Sequence, residues 1–155
     1  MKKFLVAMMI LVLAVSFAFA QAEDLKDITV GLRGGRFSGL TGRMLNDGKG
    51  IEALVTTGNS GLVVAGLYEF HKPLKIGEIE GLTWYWGGGL HVGISTWWIN
   101  SFSLGLDAIA GVEYSFESLI NFPLSVSLDY KPAIDLVGGW GTDWFGFTGS
   151  LRYTF

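Results

Sequence analysis

Only two side chains in this sequence, His71 and His91, exchange protons near neutral pH without a large environmental shift, and there is no cysteine. In an extended backbone Glu69-Phe70-His71 puts a carboxylate and an imidazole on one face. Two ligands without thiols are too few for a closed metal site, so no metal is expected. His91 stands in the stretch LHVGIS with Ser95 four residues on. Nucleophilic catalysis needs a base within hydrogen-bond reach of its nucleophile, and this spacing does not supply it. Both histidines are therefore read as structural, and no catalytic residue is expected. Gly34 to Thr41, GGRFSGLT, has the glycine spacing of a phosphate loop but lacks its lysine, and no helix follows. Gly87-Gly88-Gly89 is no dinucleotide fingerprint; close packing inside a strand explains it, and no cofactor is expected.

The remaining chemistry is ionic. Arg33, Arg43, Glu52, Glu69, His71, His91, Asp107, Glu113, Asp129, Lys131, Asp135 and Arg152 fall on the strand parity opposite to the aliphatic residues. Between them come Gly31, Thr41, Gly87, Gly89, Gly93, Gly105, Gly111, Ser125, Ser127 and Ser150. Charges of both signs separated by small residues suit a cramped polar interior, where long ionic side chains need neighbours that leave them room. An unpaired buried ion costs about several kcal/mol, so these groups are expected to pair across a barrel lumen as a salt-bridged network. Arg152 is expected to find a carboxylate such as Glu52 or Asp129. The opposite arrangement, aliphatic face inward and charged face in water, would make a soluble periplasmic lipocalin-like barrel that binds a small apolar ligand.

The elements that position these residues read with period two, broken by turn residues. Eight strands are expected: 28–34, 39–46, 51–57, 62–71, 82–95, 104–116, 123–137 and a last one from about 145 to the end. Asn46-Asp47-Gly48 and Gly58-Asn59-Ser60-Gly61 mark hairpins. Pro132 must interrupt the seventh ladder with a bulge or bend. Segments 28–34 and 39–46 are separated only by a few residues, so two strands or one bent strand are both open. Strands of about ten residues have the length that a tilted transmembrane strand needs. The expected fold is all-β, an eight-stranded antiparallel up-and-down transmembrane β-barrel, its interior filled by side chains rather than open as a large pore.

The first twenty residues stand apart. Lys2 and Lys3 precede an apolar run that closes on Ala18-Phe19-Ala20, with small residues at the two positions a signal peptidase reads. A helical signal peptide over 1–20, cleaved after Ala20, and one barrel domain over 21–155 are expected. Without Lys2 and Lys3 the chain has nine basic and fourteen acidic residues, a formal charge of −5. That balance argues against a nucleic-acid partner.

Aromatic residues collect at strand ends. Phe70, Trp84, Tyr114, Phe116, Phe122, Tyr153 and Phe155 fall at one end, and Trp97, Trp98, Phe102, Trp140, Trp144 and Phe145 at the other. Such bands match the aromatic girdles of both membrane interfaces. The sequence finishes on Leu151-Arg152-Tyr153-Thr154-Phe155, with Phe147, Leu151, Tyr153 and Phe155 on one parity and Gly149 interrupting them. With the leader and eight amphipathic strands, this resembles the small bacterial outer-membrane barrels of the OmpA transmembrane-domain and OmpX type. The resemblance covers residues 21–155 by architecture but only the last strand by motif. It implies that Phe147, Leu151, Tyr153 and Phe155 are read by the barrel-assembly machinery, with periplasmic chaperones in transit and outer-membrane lipid around a monomer. It also implies export by the general secretory route to the outer membrane of a Gram-negative envelope. Activity follows hardly at all from such a fold. Some barrels of this size modify lipids with a His and Ser near the outer leaflet, but the His-x-Ser pairing of the deacylases is absent. A structural or interaction role without enzymatic activity is the leading expectation, with a lipid-modifying enzyme as the remote alternative.

Overall fold

The computed structural model describes residues 27–58, 61–77, 79–95, 101–138 and 141–155. Ten strand segments follow in order: β1 (Asp27–Gly35), β2 (Ser38–Asn46), β3 (Lys49–Gly58), β4 (Gly61–Pro73), β5 (Leu82–Ser95), β6 (Ser101–Ser115), β7 (Leu124–Tyr130), β8 (Ala133–Val137), β9 (Thr142–Asp143) and β10 (Phe147–Thr154). Segments β7 and β8 make one stave, as do β9 and β10. Each stave pairs antiparallel with its neighbour, β5 pairs with β6, and β1 pairs with β10. The result is an eight-stranded antiparallel closed barrel, in which no sheet edge is left open along the ring.

Local chemistry explains the joints. Asp47 and Gly48 take φ of 47° and 75°, the two left-handed positions that a two-residue hairpin requires, so β2 returns directly as β3. Between β1 and β2 the chain turns at Arg36 and Phe37, with Gly35 at φ 131°; residues 28–46 form two strands, not one bent strand. Pro132 has no N–H to give, and the seventh stave breaks there. Its carbonyl nevertheless accepts from Ala108 N at 3.0 Å. The pairing of β6 therefore runs from Ala110↔Tyr130 to Asp107↔Ala133 without a slip, and shifts only between Leu104 and Gly105. The eighth stave begins as β9 and resumes at Phe147; Gly146 O still accepts from Lys131 N at 2.9 Å, and one extra residue of this stave is accommodated over residues 144–146. A single helical turn, α1 (Glu117–Ile120), sits in the connection from β6 to β7, an element that strand periodicity does not announce.

Burial alternates along every stave, and its polarity is inverted relative to a water-soluble core. Arg33, Arg43, Glu52, Glu69, Asp129, Lys131 and Arg152 are each 3% exposed or less, whereas Leu32, Leu90 and Leu128 are about 60% exposed. Among the described residues the buried hydrophobic ones are few: Leu54, Ala65, Leu67, Tyr85 and Ile109. Glycines make room for the large inward side chains. A Cβ at Gly111 would lie 2.7 Å from Asp129 Cβ and 2.8 Å from Tyr85 Cζ, and one at Gly105 would collide with the His91 ring.

Candidate functional site

The interior holds two ionic clusters at different heights. The larger lies toward the barrel end that carries Asp27 and Phe155. β2 brings Arg43, whose Nη2 donates to both oxygens of Glu113 from β6 at 2.6 and 2.8 Å. β10 brings Arg152, whose Nη1 donates to Glu113 Oε2 at 3.0 Å and to Ser127 Oγ at 2.6 Å, and whose Nη2 donates to Glu52 Oε1 at 2.8 Å. Arg33 from β1 donates to Asp129 on β7, and its Nη1 stands 3.8 Å from Glu52. Thr41 donates a hydrogen bond to Glu52. Glu69 lies 4.0 Å from Arg43 and 2.9 Å from His71 Nε2. Three guanidinium groups are thus interleaved with four carboxyl groups, the seven drawn from seven staves. In so buried a setting charge-assisted hydrogen bonds are strong, and each group holds the next in place.

The smaller cluster lies toward the other end. His91 on β5 sits between two carboxylates, with Nδ1 at 3.1 Å from Asp107 Oδ1 and Nε2 at 2.9 Å from Asp135 Oδ1. Lys131 Nζ donates to the same Asp107 oxygen at 2.8 Å and lies 5.2 Å from the centre of the Phe37 ring. On the β3–β6 wall Leu54, Ala65, Leu67 and Ile109 separate the clusters. On the seventh stave, Asp129 of β7 and Lys131 just beyond it are two residues apart, both buried, and carry polar groups from one cluster to the other.

Of the charged residues expected in the lumen, Arg33, Arg43, Glu52, Glu69, Glu113, Asp129 and Arg152 meet in the larger cluster, with His71, and His91, Asp107 and Lys131 in the smaller, with Asp135. Of the two partners anticipated for Arg152, Glu52 pairs with it. Asp129 instead serves Arg33 and accepts a 2.9 Å hydrogen bond from Tyr85 OH. Tyr85 is the residue that sequence reading overlooked. Fully buried, it stacks on His71 with centroids 4.9 Å apart, and the Arg43 guanidinium lies 5.9 Å from its ring. Its signal was parity: Tyr85 shares a face with Gly87, Gly89 and His91, although the flanking Trp84 and Trp86 make it look like one more girdle aromatic.

Comparison with family models, with curated proteins and with solved structures finds no match. The chemistry must therefore be read from geometry alone. Both ring nitrogens of His91 are engaged by carboxylates, and neither is turned to a hydroxyl nucleophile. Glu69 and His71 stay a pair, and no group of three metal-ligating side chains forms among the described residues. Phe147, Leu151, Tyr153 and Phe155 all face outward and are exposed, with Tyr153 and Phe155 packed edge to face at 5.0 Å. At the same end Tyr114 meets Phe116 at 5.2 Å, and Phe122 meets Tyr153 at 6.5 Å. Ala18 and Ala20 of the expected cleavage site lie outside the described residues, as do Trp97, Trp98 and Trp140 of the expected second girdle.

Proposed function

We propose that this chain is a structural outer-membrane β-barrel without enzymatic activity, its lumen plugged by a salt-bridged network. One observation carries the reading: the barrel buries its charged face and exposes its aliphatic one. An exposed apolar patch on a soluble monomer rarely exceeds a few hundred Å², and larger ones mark surfaces that another phase covers. Here outward aliphatic and aromatic residues recur on all eight staves. A bilayer is the environment in which such a ring is stable, because every backbone group of a closed barrel is satisfied internally. Inside, guanidinium and carboxylate groups reach across the lumen from opposite staves and occupy the space an open pore would need. The role would be envelope integrity or a weak surface contact.

The alternative, a soluble lipocalin-like barrel, would need its aliphatic residues inside to hold an apolar ligand. The small internal patch of Leu54, Ala65, Leu67 and Ile109 is the one feature that leans that way. Fractionation separates the two readings. The membrane reading expects the protein in the outer-membrane fraction, extracted only with detergent and running faster on gels before boiling than after. Release by osmotic shock without detergent would overturn it.

A further inference from the structure

The described cations fall into two groups. Arg33, Arg36, Arg43, Lys131 and Arg152 each pair with a carboxylate. Lys49, Lys72 and Lys75 form no ion pair among the described residues. These three gather in one sector of one rim: Lys49 opens β3, Lys72 lies next to the end of β4, and Lys75 follows two residues beyond it. The opposite rim offers no such group among the described residues, since its exposed Arg36 is tied to Asp143 at 2.8 Å.

Register sets the spacing. Lys49 stands directly opposite Phe70, and Lys72 is two residues beyond Phe70 on the same outward face, opposite Trp84. Lys49 and Lys72 are therefore diagonal neighbours, about 7–8 Å apart at the backbone, each next to Phe70 in the register. That ring stacks on Trp86 at 4.6 Å and meets Tyr68 edge-on at 5.2 Å. Tyr68, Trp84 and Trp86 all present exposed surface on the same outward face, Trp84 directly opposite Lys72. A small soluble anion would use the two ammonium groups and nothing of this aromatic shelf. An amphipathic anion uses both, its phosphate between the ammonium groups and its glycerol and upper acyl carbons against the rings.

We propose that Lys49 and Lys72, with Phe70, Trp84 and Trp86, form a site for the headgroup phosphate of an anionic glycerophospholipid at this rim. The site rests on the membrane reading above, and it adds a leaflet preference to it: the rim carrying Asp27 and Phe155 is the one that engages anionic lipid.

The test uses the full barrel with Trp97, Trp98, Trp140 and Trp144 replaced by Phe, so that Trp84 and Trp86 report alone. The barrel is folded into phosphatidylcholine vesicles containing a minor fraction of brominated lipid, either phosphatidylglycerol or phosphatidylcholine. Brominated phosphatidylglycerol should quench with an apparent affinity roughly thirtyfold above that of the zwitterionic lipid, as two juxtamembrane lysines would give. Lys49→Gln with Lys72→Gln should bring the two lipids level, whereas Lys49→Arg with Lys72→Arg should keep the preference. Excess inorganic phosphate should leave it unchanged; loss of the preference would assign the site to a free anion and overturn the lipid proposal. Equal quenching in the parent barrel, or a preference that survives the glutamine pair, also overturns it while leaving the membrane reading intact. No quenching by either lipid removes the membrane reading, and the site with it.

Discussion

At the scale of single residues the molecule is governed by the cost of burying charge. Arg152 is 1% exposed and serves Glu52, Glu113 and Ser127 at once. Arg152→Met leaves Glu52 without its closest cation and should lower the unfolding free energy by about 3–5 kcal/mol, the cost of breaking a buried pair. Adding Glu52→Gln should recover part of that loss, so urea unfolding of the two singles and the double gives a coupling energy; simple additivity would show that the pair is not energetically joined. Tyr85 donates to Asp129 from a fully buried position. Tyr85→Phe keeps the stack on His71 but removes the hydroxyl, and should cost about 1–3 kcal/mol in the same measurement. Arg152 was legible in the sequence because a charge among alternating apolar residues has one parity only. Tyr85 was not, because an amphipathic aromatic fits either face.

At the scale of elements the decisive features are joints. Gly48 sits at φ 75° in the hairpin between β2 and β3, and a Cβ there would lie 2.7 Å from the carbonyl oxygen of His71. Gly48→Ala should therefore destabilise by about 1–2 kcal/mol through left-handed strain alone, with the added contact pushing in the same direction; equilibrium unfolding that shows no loss would mean the turn relaxes freely. Asp-Gly at this point is a short-range signal that any reader of the sequence can use. The break at 144–146 is different. From Ala133↔Asp143 to Tyr130↔Phe147 the seventh stave advances three residues and the eighth four, while the seventh keeps one register with β6 across Pro132, so the extra residue is taken up in the eighth stave. Nothing in Trp144-Phe145-Gly146 alone announces that compensation. The helical turn α1 lies in the connection between β6 and β7, which stay hydrogen-bonded up to Phe116 N and Leu124 O at 2.9 Å, and no helical periodicity announces it.

At the scale of the whole molecule the barrel is inside out with respect to a soluble protein. Leu32, 63% exposed in the middle of β1, tests this directly. Leu32→Arg should cost about 2–4 kcal/mol in a barrel folded into vesicles if the outward ring meets hydrocarbon near the midplane. On a soluble barrel the same substitution at an exposed site would be close to neutral. Refolding yield and urea midpoint in vesicles read the difference, and a neutral result would count against the membrane reading.

The all-β class and the separation of charged from aliphatic residues were determined by the sequence itself, because the side-chain period of a strand is two and every stave here obeys it, whereas the division of 28–46 into two strands was not. Period two also sorts residues into faces without needing to know where the strands go. It is silent about which face closes inward and which carboxylate meets which arginine. Those depend on the register between staves and on the curvature of the closed sheet, which brings Arg152 of β10 within reach of Glu52 of β3 across the lumen, 100 residues apart in the chain. Ring closure made that pairing, since contact between opposite walls exists only once β1 has joined β10.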